Sequence, residues 1–485
     1  MIDYSAILMA GFYIYVVLTI IFLLLDNRNS STTFAWIFIF IIFPVGAQIL
    51  YFLIGRNRRK SPPRKSLVNQ HFESRLLELL SDITSKQDEY HHSVNESYGR
   101  VNKKKLLNLL KHNSNSILTI KNNIVPLQSG HEKFNRLIED LKNAQDHIHM
   151  EYFIWRSDSL MKDIKQILIE KARSGVEVRL LYDALGSVFL SPWFIRDLRK
   201  GGVQFYPYYD FKSPLTIHTL NYRNHRKIAV IDGTIGYTGG MNMGKEYVDG
   251  GKQFDFWRDT HLRLEGESVQ VLQSIFVTSW LNTTKESLFK SRYFPECVPP
   301  NVNETPIQVT TSGPDSQWES IQQLFFMLIS SAEKSVYIQS PYFVPDASIF
   351  EALKTAALGG LDVKIMVTGR PDKRLPYWSA YTFFEDLLKA GVRIFHYKKG
   401  FLHSKTVMVD DEICSIGTAN MDMRSFHLNY ELSTLIYDRK ITENLIMDFD
   451  MDLNDCEEIT NKDMDELGSV KKFRNSLARL FAPIL

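Results

Sequence analysis

Two of the thirteen His in this 485-residue chain open the same pattern. The first is His225-Arg226-Lys227-Ile228-Ala229-Val230-Ile231-Asp232, and the second is His403-Ser404-Lys405-Thr406-Val407-Met408-Val409-Asp410. Both read H-x-K-x4-D. Each continues through a Gly-containing return to an Asn, Asn242 and Asn420, that falls 17 residues after its His. With Lys and Asp each filling roughly 6% of positions, thirteen His give about 0.05 chance matches. Two matches at corresponding places therefore point to a site.

The residue types suggest phosphoryl chemistry. Two Lys make a fixed cationic seat for a phosphate. Two His can divide the work, one attacking phosphorus while neutral and the other protonating the leaving oxygen. Such a division needs their pKa values pushed apart. Asn242 and Asn420 can donate hydrogen bonds to phosphoryl oxygens as charge develops. Each half supplies one His, so the site must form between halves. Charged Lys contributes no metal ligand, and no H-x-x-x-H pair or carboxylate cluster accompanies the motif, so no metal is expected. The residues alone leave open which His attacks. The competing structural reading makes His225 and His403 satisfied buried residues.

The positioning elements follow from periodicity. The segment after each Lys is apolar and β-branched, which predicts a strand with His and Lys on one face. Asp232-Gly233 and Asp410-Asp411 are turn sequences, so each motif is expected to be a strand–turn–strand hairpin with its Asp as a tie at the far end. Around the motifs the chain repeats once. Helical Phe134 to Ala144 leads to the strand 149–154, and Ile321 to Ala332 leads to 337–344. The buried strands 175–181 and 360–366 follow, 185 residues apart. Helices ending in Gly202-Val203 and Gly391-Val392 come next. Strands alternating with helices indicate an α/β class with a largely buried sheet. The expected domains are 116–300 and 301–485, divided at the Pro-rich stretch 295–306. A polar linker is expected over 61–115.

The N-terminus reads differently. Tyr4 to Leu25 and Thr33 to Ile54 are two uncharged runs of 22 residues joined by a short polar turn. As helices each would measure about 33 Å, enough to cross a hydrocarbon core. A signal peptide would need a basic start and one shorter run. Residues 1–60 are therefore expected to be a transmembrane helical hairpin with a basic flank, its second helix kinked at Pro44 and Gly46. Six cations and no acid lie between Arg56 and Lys65, which places that end, and so the soluble part, in the cytoplasm. The same cluster suits anionic headgroups.

The duplicated motif with its trailing Asn resembles the phospholipase D superfamily over residues 116–485. Within it, the chain is similar to the bacterial cardiolipin synthases. The features that carry this are the N-terminal hairpin, Asn221 through Lys227, Gln339 through Pro345, and Phe256-Trp257-Arg258-Asp259-Thr260. The resemblance implies two repeated α-β-α sandwich domains with one interfacial site. It implies a cofactor-free reaction in which two phosphatidylglycerol molecules give cardiolipin and glycerol at the bacterial cell membrane. Hydrolysis by water is the alternative in the same chemistry. By the same resemblance His225 is the nucleophile and His403 the acid and base. Lys227, Lys405, Asn242 and Asn420 hold the phosphate, and Asp232 and Asp410 complete the motifs. Asp259 and Glu431 are the expected carboxylates that orient the His, with ordinary surface pairing as the alternative.

Composition bounds the rest. Lys and Arg number 57 against 55 Asp and Glu, a net +2 that argues against bulk binding of nucleic acid. Three scattered Cys give no disulfide framework. The first half carries 22 residues from Val203 to His225 where the second carries 11 from Val392 to His403. The extra aromatic stretch, Tyr206 to Leu220, reads equally as a lipid-facing entrance loop or a surface excursion. The C-terminal segment from Val470 reads as a helix packed on the second domain or lying on a membrane.

Overall fold

The computed structural model describes residues 4–25, 30–51, 70–96, 101–208, 221–296 and 304–482. The chain divides into two compact units. One contains the N-terminal helices and Tyr209–Tyr222; the other contains Ser66–Tyr208 and Arg223–Leu485. The cation cluster 56–65 and residues 209–220 of the aromatic stretch lie outside the described residues.

In the first unit, Tyr4–Leu25 is one helix of 22 residues. The second apolar run is not one helix. It forms Ser30–Ile42, stops at Phe43, and resumes as Pro44–Leu50 with Pro at its start. Pro44 has no N–H, and its ring clashes with the turn behind it, so the run divides there. The Tyr15 hydroxyl donates to the Pro44 carbonyl at 3.2 Å, joining the first helix to the break. Leu23, Trp36, Phe40, Ala47 and Tyr51 pack together beside it. Among the described residues no helix is long and apolar enough to cross a membrane.

The second unit is built on one continuous sheet of sixteen strands. At its middle, Leu118–Leu127 pairs antiparallel with Glu304–Ser312. Outward from the first of these run His261–Gly266, Ile235–Gly239, Lys227–Ile231, His147–Tyr152, Glu177–Tyr182 and Gln204–Pro207. Outward from the second run Asn429–Ile436, Ile413–Gly417, Thr406–Val409, Ser335–Gln339, Asp362–Thr368 and Arg393–Tyr397, with Cys456–Ile459 added at the edge. The same order on both sides is the repeat in three dimensions. Helices cover the sheet through apolar stripes; Gly130–Asn143 buries Phe134, Leu137 and Leu141, for example.

The segment read as a polar linker is packed. Helices Gln87–Glu96 and Lys103–Ser114 insert Tyr90, Val94, Leu106, Leu107 and Leu110 into the core that also holds Leu324, Ile338 and Val363. Tyr90 donates to Glu267 Oε1 at 2.8 Å. The Leu spacing 106, 107, 110 is a helical stripe, masked in composition by Lys and Asn on the other face. At the C-terminus, Ser469–Arg479 buries Asn475 and Ala478 and lays Arg474 over Trp378 at 4.5 Å. Val470, Phe473 and Leu477 remain exposed.

Each motif hairpin is tied at its far end. Asp232 and Gly233 have φ of 53° and 67°, and Asp410 and Asp411 have 54° and 55°, the positive values that both central residues of a type I′ turn require. Asp232 accepts from the backbone N–H groups of Gln145, Asp146 and His147 at 2.7, 2.8 and 2.9 Å. Asp410 accepts from Glu333, Lys334 and Ser335 at 2.7, 2.7 and 2.8 Å. Each carboxylate thus pins the start of the neighbouring strand, roughly 20 Å of extended chain from its His. We expect Asp410→Ala to leave three N–H groups unpaired and to lower stability by about 2–3 kcal/mol. Chemical denaturation of the detergent-solubilised protein checks this; an unchanged midpoint would refute the tie.

Candidate active site

The two motif His meet partners from opposite halves. His225 Nδ1 lies 2.9 and 3.0 Å from the two carboxylate oxygens of Glu431. His403 Nδ1 lies 2.6 Å from Asp259 Oδ2. The pairs are crossed: the carboxylate of each half holds the His of the other. In each pair the carboxylate accepts from Nδ1, which leaves Nε2 for chemistry.

Short strand pairings produce the crossing. Arg223-Asn224, just before His225, runs parallel to Asn429-Tyr430, just before Glu431. Phe401-Leu402, just before His403, runs parallel to Trp257-Arg258, just before Asp259. The His225 N–H donates to the Tyr430 carbonyl at 2.9 Å, and the His403 N–H to that of Arg258 at 2.7 Å. Asp183 anchors the first of these strands. It accepts from the Asn224 N–H at 2.9 Å and from the Arg223 guanidinium at 3.1 Å.

The carboxylates are themselves fixed. Glu431 accepts from the Thr418 hydroxyl at 2.5 Å and from the Asn429 amide at 3.0 Å. Asp259 Oδ1 accepts from the Thr260 N–H at 2.8 Å. Asp259 packs where a larger residue than Gly240 could not stand, since a Cβ there would lie 1.9 Å from Oδ1. Thr418 occupies the matching place in the second half. So the shorter carboxylate sits against a glycine, and the longer one takes a hydroxyl.

Both lysines fold back on their own motif. Lys227 Nζ donates to the His225 carbonyl at 2.7 Å, and Lys405 donates to the His403 carbonyl. Both are buried. Asn242 Oδ1 accepts from the Ile154 N–H at 3.2 Å, and its amide nitrogen is 2.5 Å from the Tyr247 hydroxyl. Lys133 holds the loop that carries Asn242, donating to the carbonyls of Met241 and Asn242 at 3.2 and 3.0 Å. Asp232 and Asp410 stand apart from this cluster.

Burial sets the electrostatics. It pushes His225 down to about 4; Glu431 opposes this, and Lys227 adds to it. Burial, with help from Lys405, pushes His403 down to about 3 against the pull of Asp259. Burial lowers Lys227 to about 7 and Lys405 to about 8. Burial raises Glu431, but His225 and Lys227 outweigh it, so that carboxylate stays below its ordinary value. Burial thus favours the neutral form of both His near pH 7. An anion placed between them would favour the protonated forms of His and Lys alike.

A cavity of about 630 Å³ opens at His225. Arg223, Lys373, Arg374 and Arg424 line it, with Phe153 and Leu185 on its apolar side. Asp422, also on its wall, is raised to about 6 by burial. The cationic wall suits a phosphodiester, and the apolar side suits acyl chain.

Sequence reasoning missed several of these residues. Asp183 and Asn429 carry no local signal. Lys133 has one, because it falls on the apolar stripe of Gly130–Asn143 where a charge is out of place. Thr418 lies inside the second Gly-to-Asn return but differs from the first half.

The fold and the paired motifs define a phospholipase D-like protein. Phosphatidylserine synthase from Haemophilus influenzae shares the fold at a TM-score of 0.59 and 18% identity, covering 79% of this chain and 99% of its own. The family described as cardiolipin synthase, PLD-like domain, matches residues 137–280 and 325–453. The phospholipase D-nuclease N-terminal family matches residues 11–56. Cardiolipin synthase from Halalkalibacterium halodurans is 40% identical over 99% of this chain and 94% of its own length. The major cardiolipin synthase of Bacillus subtilis is 38% identical over 99% of both. The chain belongs to the cardiolipin synthase family.

The depressed lysines give a pH test. As pH rises from 7 to 9, Lys227 and then Lys405 lose their protons in the empty site, and the seat for an anion weakens. Binding of dibutyl phosphate, a monoanion throughout, should weaken by at least about tenfold over that range by calorimetry. Constant affinity would show that these lysines are not the seat.

Proposed function

We propose that the chain is a cardiolipin synthase that moves a phosphatidyl group from one phosphatidylglycerol to another. The observation that carries this reading is the crossed pair of buried His–carboxylate couples beside a cationic, part-apolar cavity. It is joined by family membership over nearly the whole chain.

The reaction runs in two displacements. Phosphatidylglycerol places its phosphodiester between the two His, held by Lys227, Lys405, Asn242 and Asn420. Its negative charge shifts the nearby His toward protonation. Neutral His225 attacks phosphorus through Nε2. Protonated His403 gives its proton to the departing glycerol oxygen. The product is a phosphatidyl-His225 and neutral His403. The glycerol headgroup of a second phosphatidylglycerol then enters. His403 takes its hydroxyl proton, the alkoxide oxygen bonds to phosphorus, and His225 leaves. Cardiolipin is released with no net change in the enzyme. Glu431 and Asp259 fix the tautomers and stabilise imidazolium as it forms. Asp232 and Asp410 serve as structural ties.

The apolar hairpin 4–51 seats the enzyme in the bacterial membrane, and the cations from Arg56 to Lys65 favour a cytoplasmic catalytic unit. This places the site at a surface rich in its anionic substrate. The pathway uses neither metal nor nucleotide.

Purified enzyme with labelled phosphatidylglycerol should release glycerol and form cardiolipin, at a rate unchanged by chelator. Phosphatidic acid as the sole product would overturn the transfer reading. His225→Ala and His403→Ala should each lose at least about a thousandfold in rate; substantial residual activity would exclude the two-His path.

Glu431→Gln and Asp259→Asn should keep the geometry but lower kcat by about a hundredfold or more, with little change in KM. A change confined to KM would make these carboxylates binding rather than orienting groups.

A further inference from the structure

The repeat relates the two half-sites, yet they do not carry the same chemistry. After its Asn the first half reads Asn242-Met243-Gly244, and the second reads Asn420-Met421-Asp422. Two residues before the orienting carboxylate the first half has Trp257 and the second has Asn429. The second half thus gains a carboxylate and an amide where the first has a hydrogen and an indole.

These additions face one space. Asn420, Asp422 and Asn429 all line the cavity that holds His225. Asn420 is 6% exposed and Asn429 5%. The Oδ1 of each has no hydrogen-bond partner among the described residues. Each amide nitrogen spends one of its two N–H groups on protein: Asn429 donates to Glu431 Oε1 at 3.0 Å, and Asn420 hydrogen-bonds to Asp422. Asp422 Oδ1 takes the Ser425 N–H at 2.7 Å. Asn242, by contrast, has both ends engaged with protein. A buried carbonyl oxygen without a donor is unfavourable, so two of them on one wall select a ligand that brings donors.

The parts of a phospholipid differ in what they offer. A phosphodiester and the two acyl esters supply acceptors only. Hydroxyls sit on the glycerol headgroup. An ammonium headgroup also carries donors, but Arg223, Lys373, Arg374 and Arg424 around the same cavity oppose a cation. A neutral polyol fits both conditions. We propose that Asn420, Asp422 and Asn429 form a hydroxyl-accepting subsite that recognises the glycerol headgroup. This rests on the phosphatidyl-transfer reading and adds the residues that choose the alcohol. The subsite binds the headgroup hydroxyl that does not react and so places the other within reach of phosphorus. It favours glycerol headgroup over water, which cannot span the acceptors.

The test is an acceptor competition. Full-length enzyme in detergent is given phosphatidylglycerol with deuterated glycerol, propan-1-ol or ethanolamine, and the lipid products are weighed by mass spectrometry. Wild type should favour glycerol over propan-1-ol in kcat/KM. Asp422→Asn, which can still cap the following helix, and Asn429→Ser should each lower that ratio about tenfold. A wild type that prefers ethanolamine, or shows no preference, overturns the subsite. So does an unchanged ratio in both variants, including an equal loss with both alcohols. A wild type that transfers phosphatidyl to no alcohol or lipid at all overturns instead the reading on which the subsite rests.

Discussion

The site depends on one exchange. Each His is held by a carboxylate from the other half of the chain, His225 by Glu431 and His403 by Asp259. Neither half supplies the carboxylate that holds its own motif His. The exchange is enforced by backbone, because the residues just before each His form parallel pairs with the residues just before each carboxylate. A shift of one residue in either pairing would turn the imidazole away from its partner. The continuous sheet through Leu118–Leu127 and Glu304–Ser312 fixes the separation of the halves, and with it the distance between the two His.

Burial then decides the chemistry. Two imidazoles, two ammonium groups and two carboxylates share a space largely closed to water, where unpaired charge is costly. Burial lowers the pKa of both His and both lysines. The Asp residues at the far ends of the motifs have no part in this. They hold the strands that carry it, each by three backbone hydrogen bonds.

The repeated fold conceals chemical asymmetry. The pairs Gly240 and Thr418, Gly244 and Asp422, and Trp257 and Asn429 stand at matching places with different chemistry. The first half sets Trp257 and Tyr247 around His403, where Phe401 of the second half also packs. The second surrounds His225 with polar groups and a cationic cavity. The two-step transfer proposed above calls for such a difference, because in it the two His perform different work. The net charge of +2 is likewise a cancellation. It sums the cations from Arg56 to Lys65, the ten acids from Glu443 to Glu466, and a cationic cavity wall.

The sequence by itself determined the repeat, the α/β class, the motif hairpins and the identity of the paired His and Lys. These are local properties: hydrophobic period, turn residues and spacing along one strand. It also marked Asp259 and Glu431 as positions worth attention, but not which His each would hold. Local signals failed for the helices of 87–114, where a buried Leu stripe was diluted by Lys and Asn; in the second apolar run Pro44 marked the place, and the structure shows a full division there rather than a kink. Only the tertiary structure decided the crossed carboxylates, the cavity cations and the unpaired acceptors of Asn420 and Asn429. Those depend on which surfaces the two halves bring together, and residues some 150 to 200 positions apart carry no shared period by which a linear chain could announce it.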